Sequence, residues 1–177
     1  METKNKLALK TLNIHGFKTF TETEHVDFAE GLNVLLSTTK YPTPSGLWDF
    51  CDALRWLFGI RMDHGNIIIF DDSVDFAEVG ATVIDAAGNE KVITRRLSKD
   101  GNEELISEFE QNAVTLLKGF FVEEDSNTLS FGNTKIVTTS DKELAKEFAM
   151  RADKMIGIST DETGKKSKVL VLSKEGV

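Results

Sequence analysis

Apolar and polar positions near the start of the chain follow two patterns. Residues 7–14 alternate loosely between apolar and polar, which predicts a strand, and residues 32–36 form a continuous apolar run, which is typical of a buried central strand. From residue 46 to 58 the apolar side chains recur at i, i+3, i+4 and i+7, which predicts an amphipathic helix. The loop 37–45 contains both prolines of the chain. These residues therefore predict a strand–loop–helix unit.

The rest of the chain predicts an α/β protein with many short strands. Further strands are predicted at residues 26–28, 67–70, 78–85, 91–97, 104–109, 128–131, 135–138 and 168–172, and further helices at 113–121 and 140–156. Gly-containing turns at residues 86–89 and 132–133 indicate hairpins. A capping box at residues 140–143 is expected to start the last helix. We expect an acidic loop at residues 123–127 and a polar, flexible stretch at residues 161–166.

Composition and charge are those of a soluble globular protein. The 177 residues are 40% hydrophobic and 28% charged, which suits one domain with its own core. The net charge of −8 argues against tight, non-specific binding of nucleic acid, because neutralising phosphates requires Lys and Arg. The single cysteine, Cys51, excludes an internal disulfide and fits a reducing compartment. Since there is no long apolar run and no signal-peptide core, we expect a cytoplasmic protein without membrane contact.

Four segments carry a resemblance to a known family, in matching order and spacing. They are LKTLNIHGFKTF at residues 9–20, GLNVLL at 31–36, DALRWLFG at 52–59 and VITRRL at 92–97. Over residues 7–121 the chain resembles the N-terminal lobe of SMC and RecF-type ABC ATPase heads. The resemblance implies an α/β, P-loop NTPase-like fold with an antiparallel β-meander. We accordingly predict an SMC-like half-head lobe over residues 1–160, followed by a flexible segment and terminal strand over residues 161–177.

The family's ATP-binding Walker A loop, G-P-N-G-S-G-K-S, belongs between the second and third of these segments. Fixing the flanks aligns Ser37 with its first residue and Trp48 with its last, so four residues are inserted here. Gly46 then aligns with the last glycine, Leu47 with the lysine, and Trp48 with the Mg²⁺-binding serine. Leucine has no hydrogen-bond donor and tryptophan has only its indole N–H, so neither replaces the lysine charge or the hydroxyl. The resemblance therefore implies a degenerate Walker A loop.

Other features of the loop agree with a loss of phosphate binding. Pro42 and Pro44 each remove a backbone N–H, and the bulky Trp48 is expected to fill the space of a phosphate. The N-terminus of the following helix keeps a weak attraction for anions. Lys40 and Arg61 are the side chains that would have to replace the missing lysine if nucleotide were bound. We expect no cofactor, no metal ion and no catalytic residue.

Further parts of the family's ATPase site are not found in the sequence. There is no L-S-G-G segment and no strand ending in Asp-Glu, because the apolar run 169–172 leads into Ser173-Lys174-Glu175. The single glutamine, Gln111, precedes the predicted helix, where the family does not place its Q-loop. The resemblance therefore implies a head without its C-terminal lobe.

Side chains outside the loop give weaker signals. Arg95 and Arg96 lie on a predicted strand, where we expect them to form cross-strand pairs with Glu or Asp. The alternative is that they bind nucleic acid. The three histidines lack metal-ligand spacing. The acidic cluster within residues 71–78 lacks the glycine and terminal glutamate of a calcium loop, which favours a solvated loop.

These observations favour a non-catalytic pseudo-ATPase that has lost ATP binding and acts through protein–protein contact. The partner would be an SMC- or RecF-like ATPase or a second copy of the chain, in a chromosome-segregation or DNA-repair setting. Two alternatives stay open. The chain is either the nucleotide-binding half of an ATPase completed in trans by a separate C-terminal lobe, or a DNA-binding accessory protein that uses Arg95, Arg96 and the lysines of residues 165–168.

Overall fold

A computed structural model of the protein describes residues 7–38, 43–62, 67–110, 113–125 and 127–176. The strands in these ranges are β1 (Ala8–His15), β2 (Glu24–Asp27), β3 (Gly31–Ser37), β4 (Phe76–Ile84), β5 (Glu90–Ser98), β6 (Glu103–Ser107), β7 (Phe121–Asp125), β8 (Thr128–Phe131), β9 (Thr134–Thr139), β10 (Lys154–Thr160) and β11 (Ser167–Leu172). The helices are α1 (Ser45–Leu57), α2 (Ala113–Phe120) and α3 (Lys142–Ala149), and a 3₁₀ turn covers Lys174–Gly176. Each helix in the described ranges is too short or too polar to cross a membrane.

The strands form two sheets. The first is an antiparallel sheet in the order β2-β1-β4-β5-β6, and the second is a mixed sheet in the order β11-β10-β3-β9-β8-β7. The hairpins predicted at residues 86–89 and 132–133 are confirmed, since they join β4 to β5 and β8 to β9. Strand β3 pairs in parallel with β9 on one side and with β10 on the other. The carboxyl ends of three neighbouring strands therefore meet at one edge of the mixed sheet.

Helix α1 lies at the centre of the larger hydrophobic core. Its predicted apolar face buries Phe50, Leu54 and Leu57 in one cluster with Leu12 of β1 and Leu35 of β3. The helix contacts β4 and β5 of the first sheet and β3 and β10 of the second. The amphipathic helix that the sequence predicts therefore joins the two sheets.

Helix α3 covers the opposite face of the mixed sheet. Ala145 and Ala149 of this helix form a smaller cluster with Val34 and Leu36 of β3 and Met155 of β10. Because alternate residues of a strand point to opposite faces, β3 is buried on both. This double burial explains the continuous apolar run that the sequence shows at this strand.

The predicted helix over residues 140–156 is wrong in its second half. Helix α3 ends at Ala149, and Met155 and Ile156 lie in β10. Met155 and Ile156 continue the helical spacing of the apolar residues in α3. They nevertheless form a strand, because β10 pairs with β3 on one side and with β11 on the other. Pairing with strands that are distant in sequence therefore decides the structure of this segment, and local periodicity does not.

Three smaller expectations also differ from the structure. The predicted acidic loop at residues 123–127 begins inside β7, and residues 67–70 form no strand. The cap of α3 is Asp141, one residue later than predicted, and its carboxylate accepts hydrogen bonds from two backbone N–H groups. Residues 161–166 form the turn between β10 and β11. Asp161 Oδ1 accepts the hydrogen bonds that close this turn.

Candidate functional site

The loop at the Walker A position leads from β3 into α1, at the edge where the parallel strands end. Strand β3 ends at Ser37, β9 at Thr139 and β10 at Thr160. In open α/β sheets ligands bind outside this edge, and a helix N-terminus there attracts phosphate. The fold alone therefore predicts a nucleotide site at this position. Three residues named in the sequence analysis, Lys40, Pro42 and Gln111, lie outside the described ranges, as does His64, one of the three histidines.

Gly46, which aligns with the last glycine of the Walker A loop, contacts the β10–β11 hairpin directly. Its backbone N–H donates a hydrogen bond of 3.0 Å to Thr160 Oγ1. A Cβ atom added at Gly46 would lie 2.5 Å from Ser167 Oγ and 2.6 Å from Thr160 Oγ1. The close approach of the hairpin therefore requires glycine here, and the backbone N–H of Gly46 is already hydrogen-bonded within the protein.

Three buried hydroxyl groups, which we call the hydroxyl cluster, extend this contact: Thr19, Thr160 and Ser167. Thr160 Oγ1 lies 3.0 Å from Ser167 Oγ, which donates to Thr19 Oγ1 at 2.7 Å. Thr19 donates from its hydroxyl and from its backbone N–H to Asp49 Oδ2, at 2.7 and 3.1 Å. Burial raises the pKa of Asp49, although the hydrogen bonds from Thr19 act in the opposite direction. The hydroxyl cluster thus fills the space beside Gly46 and connects it to the carboxylate of α1.

Leu47 and Trp48, at the positions of the lysine and the metal-binding serine, have different surroundings. Leu47 is buried in the larger core. Trp48 is 39% exposed and lines a cleft beside the start of α1. The space beside Gly46 is filled by the hydroxyl cluster, which the sequence patterns did not predict. One signal was present, because Thr19 belongs to the GFKTF segment that carries the family resemblance.

A cleft of about 370 Å³ lies next to Trp48. Cys51 of α1 and residues 138–140, at the end of β9 and just after it, line it together with Trp48. The thiol of Cys51 is buried. The cation in the wall of the cleft is Arg55, which is bound by two carboxylates. The cleft therefore combines an exposed indole with hydroxyl groups, and its positive charge is already neutralised.

A chain of ion pairs crosses the buried side of α1. Lys18 Nζ donates to Asp52 Oδ2 at 2.8 Å, and Arg55 Nη1 donates to Asp52 Oδ1 at 2.8 Å. Arg55 Nη2 also donates to Glu123 Oε1 at 2.6 Å. Burial opposes the charge of Arg55, but its hydrogen bonds to Glu123 and Asp52 outweigh this and raise its pKa. We call these four residues the ion-pair chain, and its two cations are bound to carboxylates of the protein.

Two of the segments that carry the family resemblance are partners in this structure. Lys18 and Thr19 of GFKTF bind Asp52 and Asp49, which lie on the helix that contains DALRW. Lys18 has a backbone φ of +51°, a left-handed conformation that is uncommon for a residue with a side chain. Its N–H donates to Ile68 O at 2.6 Å, which helps to hold this conformation. The co-occurrence of the two segments therefore has a physical cause in their mutual contacts.

The two candidate nucleic-acid contacts have acidic partners. Arg95 Nη1 donates to Glu103 Oε2 at 2.9 Å, on the neighbouring strand β6. Arg96 lies 3.9 Å from Glu78 of β4, and its guanidinium stacks 3.8 Å from the ring centroid of Phe76. The predicted cross-strand pairing is thus confirmed for both arginines. Within the ranges that the structure describes, no three His, Cys, Asp or Glu side chains are grouped so as to hold a metal ion.

Comparison with known sequences finds chromosome partition proteins. The chain is 31% identical over 110 residues to the chromosome partition protein Smc of Desulfitobacterium hafniense (strain Y51), a match that covers 52% of this chain and 9% of that protein. It is 30% identical over 117 residues to the Smc protein of Bacillus subtilis (strain 168), covering 56% of this chain and 10% of that protein. The chain thus spans about a tenth of the length of these curated relatives. No family model matches it.

Comparison with solved structures finds ATPase heads. The SMC head domain from Thermotoga maritima superposes with a TM-score of 0.62 at 13% identity, over 94% of this chain and 99% of that one. An Smc head solved with the C-winged helix domain of ScpA superposes with a TM-score of 0.53 at 19% identity, over 68% of this chain and 43% of that one. At these identities the likeness establishes the fold. Taken with the sequence matches, it confirms the prediction that the chain has the fold of an SMC/RecF-type ABC ATPase head.

Proposed function

We propose that this head-type protein does not bind ATP and works through protein–protein contact. The observation that carries the proposal is the hydrogen bond of 3.0 Å from the Gly46 N–H to Thr160 Oγ1. A phosphate at the start of α1 needs free backbone N–H groups and room to approach them. At Gly46 the N–H is bound, and the hydroxyl cluster fills the adjacent space.

The side chains around this position support the same function. Leu47 and Trp48 supply neither the ammonium group nor the hydroxyl that a Mg-nucleotide requires. Lys18 and Arg55, the buried cations close to α1, are bound to carboxylates in the ion-pair chain. A bound nucleotide would have to break these ion pairs to recruit either cation, and breaking a buried pair is strongly unfavourable.

The setting that we propose follows from the relatives. The sequence matches are chromosome partition proteins, and one of the solved heads is bound to a domain of ScpA. By analogy, we assign this chain a role in chromosome maintenance or DNA repair, in contact with an SMC- or RecF-like ATPase or with a second copy of itself. A role in DNA binding is less well supported, because Arg95 and Arg96 both have acidic partners.

Isothermal titration calorimetry with Mg-ATP tests the loss of nucleotide binding. We expect no saturable heat at millimolar ATP, because neither the N–H of Gly46 nor a lysine side chain at position 47 is available for phosphate. An SMC head that retains the intact G-P-N-G-S-G-K-S loop is the positive control under the same conditions. A saturable heat with this chain contradicts the proposal and favours the nucleotide-binding half of a split ATPase.

A further inference from the structure

We propose that the outer edge of β7 binds an extended, basic segment of a partner protein as an added strand. This inference rests on the proposed function, since it names the surface through which the protein contact is made. Adding a strand to an open sheet edge is a common mode of peptide recognition, in which backbone hydrogen bonds provide affinity and side chains provide specificity.

Strand β7 is the last strand of the mixed sheet, and among the described residues it pairs only with β8. All of its residues after Phe121 are exposed. An edge strand of this kind presents a row of backbone N–H and C=O groups that have no strand partner. The outer edge of β7 is therefore accessible for pairing with another chain.

The opposite edge of the same sheet is covered within the protein. The backbone N–H of Ser167 in β11 donates to Thr19 O at 2.8 Å. The next outward N–H, that of Val169, donates to Glu24 Oε1 at 2.8 Å. These contacts occupy the first half of β11 and tie it to the first sheet. Strand β7 is consequently the more open edge of the mixed sheet.

Strand β6, at the edge of the first sheet, is also exposed, but its acidic residues have basic partners on β5. Glu103 accepts a hydrogen bond from Arg95, and Glu104 lies opposite Arg96 in the strand register. The acidic residues of β6 are therefore opposed by positive charges on β5.

Apolar side chains are exposed in α2 and at the start of β7. Leu116 is 67% exposed, Phe120 is 37% exposed and Val122 is 46% exposed. Leu116 and Phe120 are four residues apart in α2, so they lie on the same face of the helix. Exposed apolar groups that lie together on a surface are typical of interaction sites.

The charge of β7 selects the kind of partner. Glu123, Glu124 and Asp125 are consecutive acidic residues. Glu123 is bound to Arg55 in the ion-pair chain, and Glu124 lies 3.5 Å from Lys135 in an exposed pair, which is a weak interaction. The exposed carboxylates of Glu124 and Asp125 therefore remain to attract a partner. If two copies paired antiparallel about Glu124, this residue would face its own copy, and Glu123 would face Asp125. Like charges directly opposite destabilise a sheet, which argues against a second copy of the chain. A strand in which Lys or Arg alternates with apolar residues fits this edge.

Hydrogen exchange with two matched probe peptides tests the inference. One peptide alternates Lys and Val, and its control alternates Glu and Val at the same length. We expect the Lys-Val peptide to slow backbone N–H exchange in residues 121–125 by about tenfold or more, and the Glu-Val peptide to leave it unchanged. Equal protection by both peptides, protection only at another strand, or no protection at saturating peptide would overturn the inference.

Two charge-reversal variants make the test specific to β7. Glu124→Lys changes the exposed edge of β7, and Glu104→Lys makes the same change on the exposed strand β6. We expect the first variant to weaken binding of the Lys-Val peptide about tenfold and the second to bind like the wild type. Equal effects of both variants would show that net charge alone attracts the peptide, which contradicts the assignment to β7.

The ATP titration separates this inference from the proposed function. If the peptides do not protect β7 and Mg-ATP gives no heat, the location of the contact is wrong while the loss of nucleotide binding stands. If Mg-ATP binds, the proposed function fails whatever the peptides do.

Discussion

Asp49 and Asp161 show how two aspartates in one protein respond to opposite surroundings. Asp49 is buried next to the hydroxyl cluster, and burial raises its pKa above the ordinary value of 3.8. Asp161 lies partly exposed in the β10–β11 turn, where hydrogen bonds from the Thr163 hydroxyl and from backbone N–H groups lower its pKa. A raised pKa in the folded protein means that folding favours the protonated carboxyl group. A lowered pKa means that folding favours the ionised carboxylate. The two residues therefore contribute opposite signs to the pH dependence of stability.

We predict that Asp49→Asn gains stability relative to the wild type as pH rises through the raised pKa of Asp49. The contribution of the wild-type residue is fully present below the ordinary pKa of 3.8 and is lost as pH rises, because ionisation of the buried group costs free energy. Asp161→Asn is the matched control with the opposite sign. The contribution of Asp161 is present above 3.8 and is lost as pH falls through its lowered pKa.

Urea unfolding of the wild type and both variants, from about pH 3 to about pH 7, measures these differences. The free energy of unfolding of the wild type is subtracted from that of each variant, and this difference is plotted against pH. Two curves that run parallel, or a Asp49→Asn curve that falls as pH rises, would show that burial of Asp49 is not the dominant effect.

Among the elements, the β10–β11 hairpin has the largest consequence for the site. It contributes Thr160 and Ser167, which contact Gly46 at the start of α1. It also supplies β10 as a parallel neighbour of β3, so the sheet is continuous on both sides of the central strand. The same hairpin therefore completes the sheet and fills the space beside the helix N-terminus.

We predict that Thr160→Val destabilises the protein by about 1–3 kcal/mol, because the buried N–H of Gly46 loses its acceptor while the shape of the side chain is kept. Thr160→Ser is the control, since it keeps the hydroxyl and loses only a methyl group. Hydrogen exchange at the Gly46 N–H distinguishes the two: it should become faster in the valine variant and stay slow in the serine variant. Unchanged exchange in Thr160→Val would mean that Thr160 is not the partner of Gly46.

For the whole molecule, the sequence predicted the parts whose structure is determined locally. The apolar run at β3, the spacing in α1 and the hairpin turns lie in short windows, and all were confirmed. The four matching segments also predicted the head fold, which the comparisons confirm. Two features were not predicted because they depend on residues that are far apart in the chain. One is strand β10, which was predicted as helix, and the other is the hydroxyl cluster, which joins Thr19 to Thr160 and Ser167. Local patterns do not encode such pairings.

The ion-pair chain is the feature that links distant parts of the molecule most directly. Lys18 follows β1 of the first sheet, Asp52 and Arg55 lie on α1, and Glu123 lies on β7 of the mixed sheet. Lys18 and Asp52 are fully buried, so removing either one takes an opposite charge away from the other in a poorly solvated position. The chain of contacts thus makes the stability of both sheets depend on single side chains of α1.

We predict that Asp52→Asn destabilises the protein by about 3–5 kcal/mol, because Lys18 and Arg55 both lose a buried carboxylate. Lys18→Met should also be strongly destabilising, since it leaves Asp52 with one cation fewer. The double variant should cost less than the sum of the two single variants, because it removes both charges of the Lys18–Asp52 pair. Urea unfolding measures all three, with Glu143→Ala as a control in an exposed pair that should change stability by less than about 1 kcal/mol. If the double variant costs as much as the sum, Lys18 and Asp52 contribute independently and the ion-pair chain does not act as a unit.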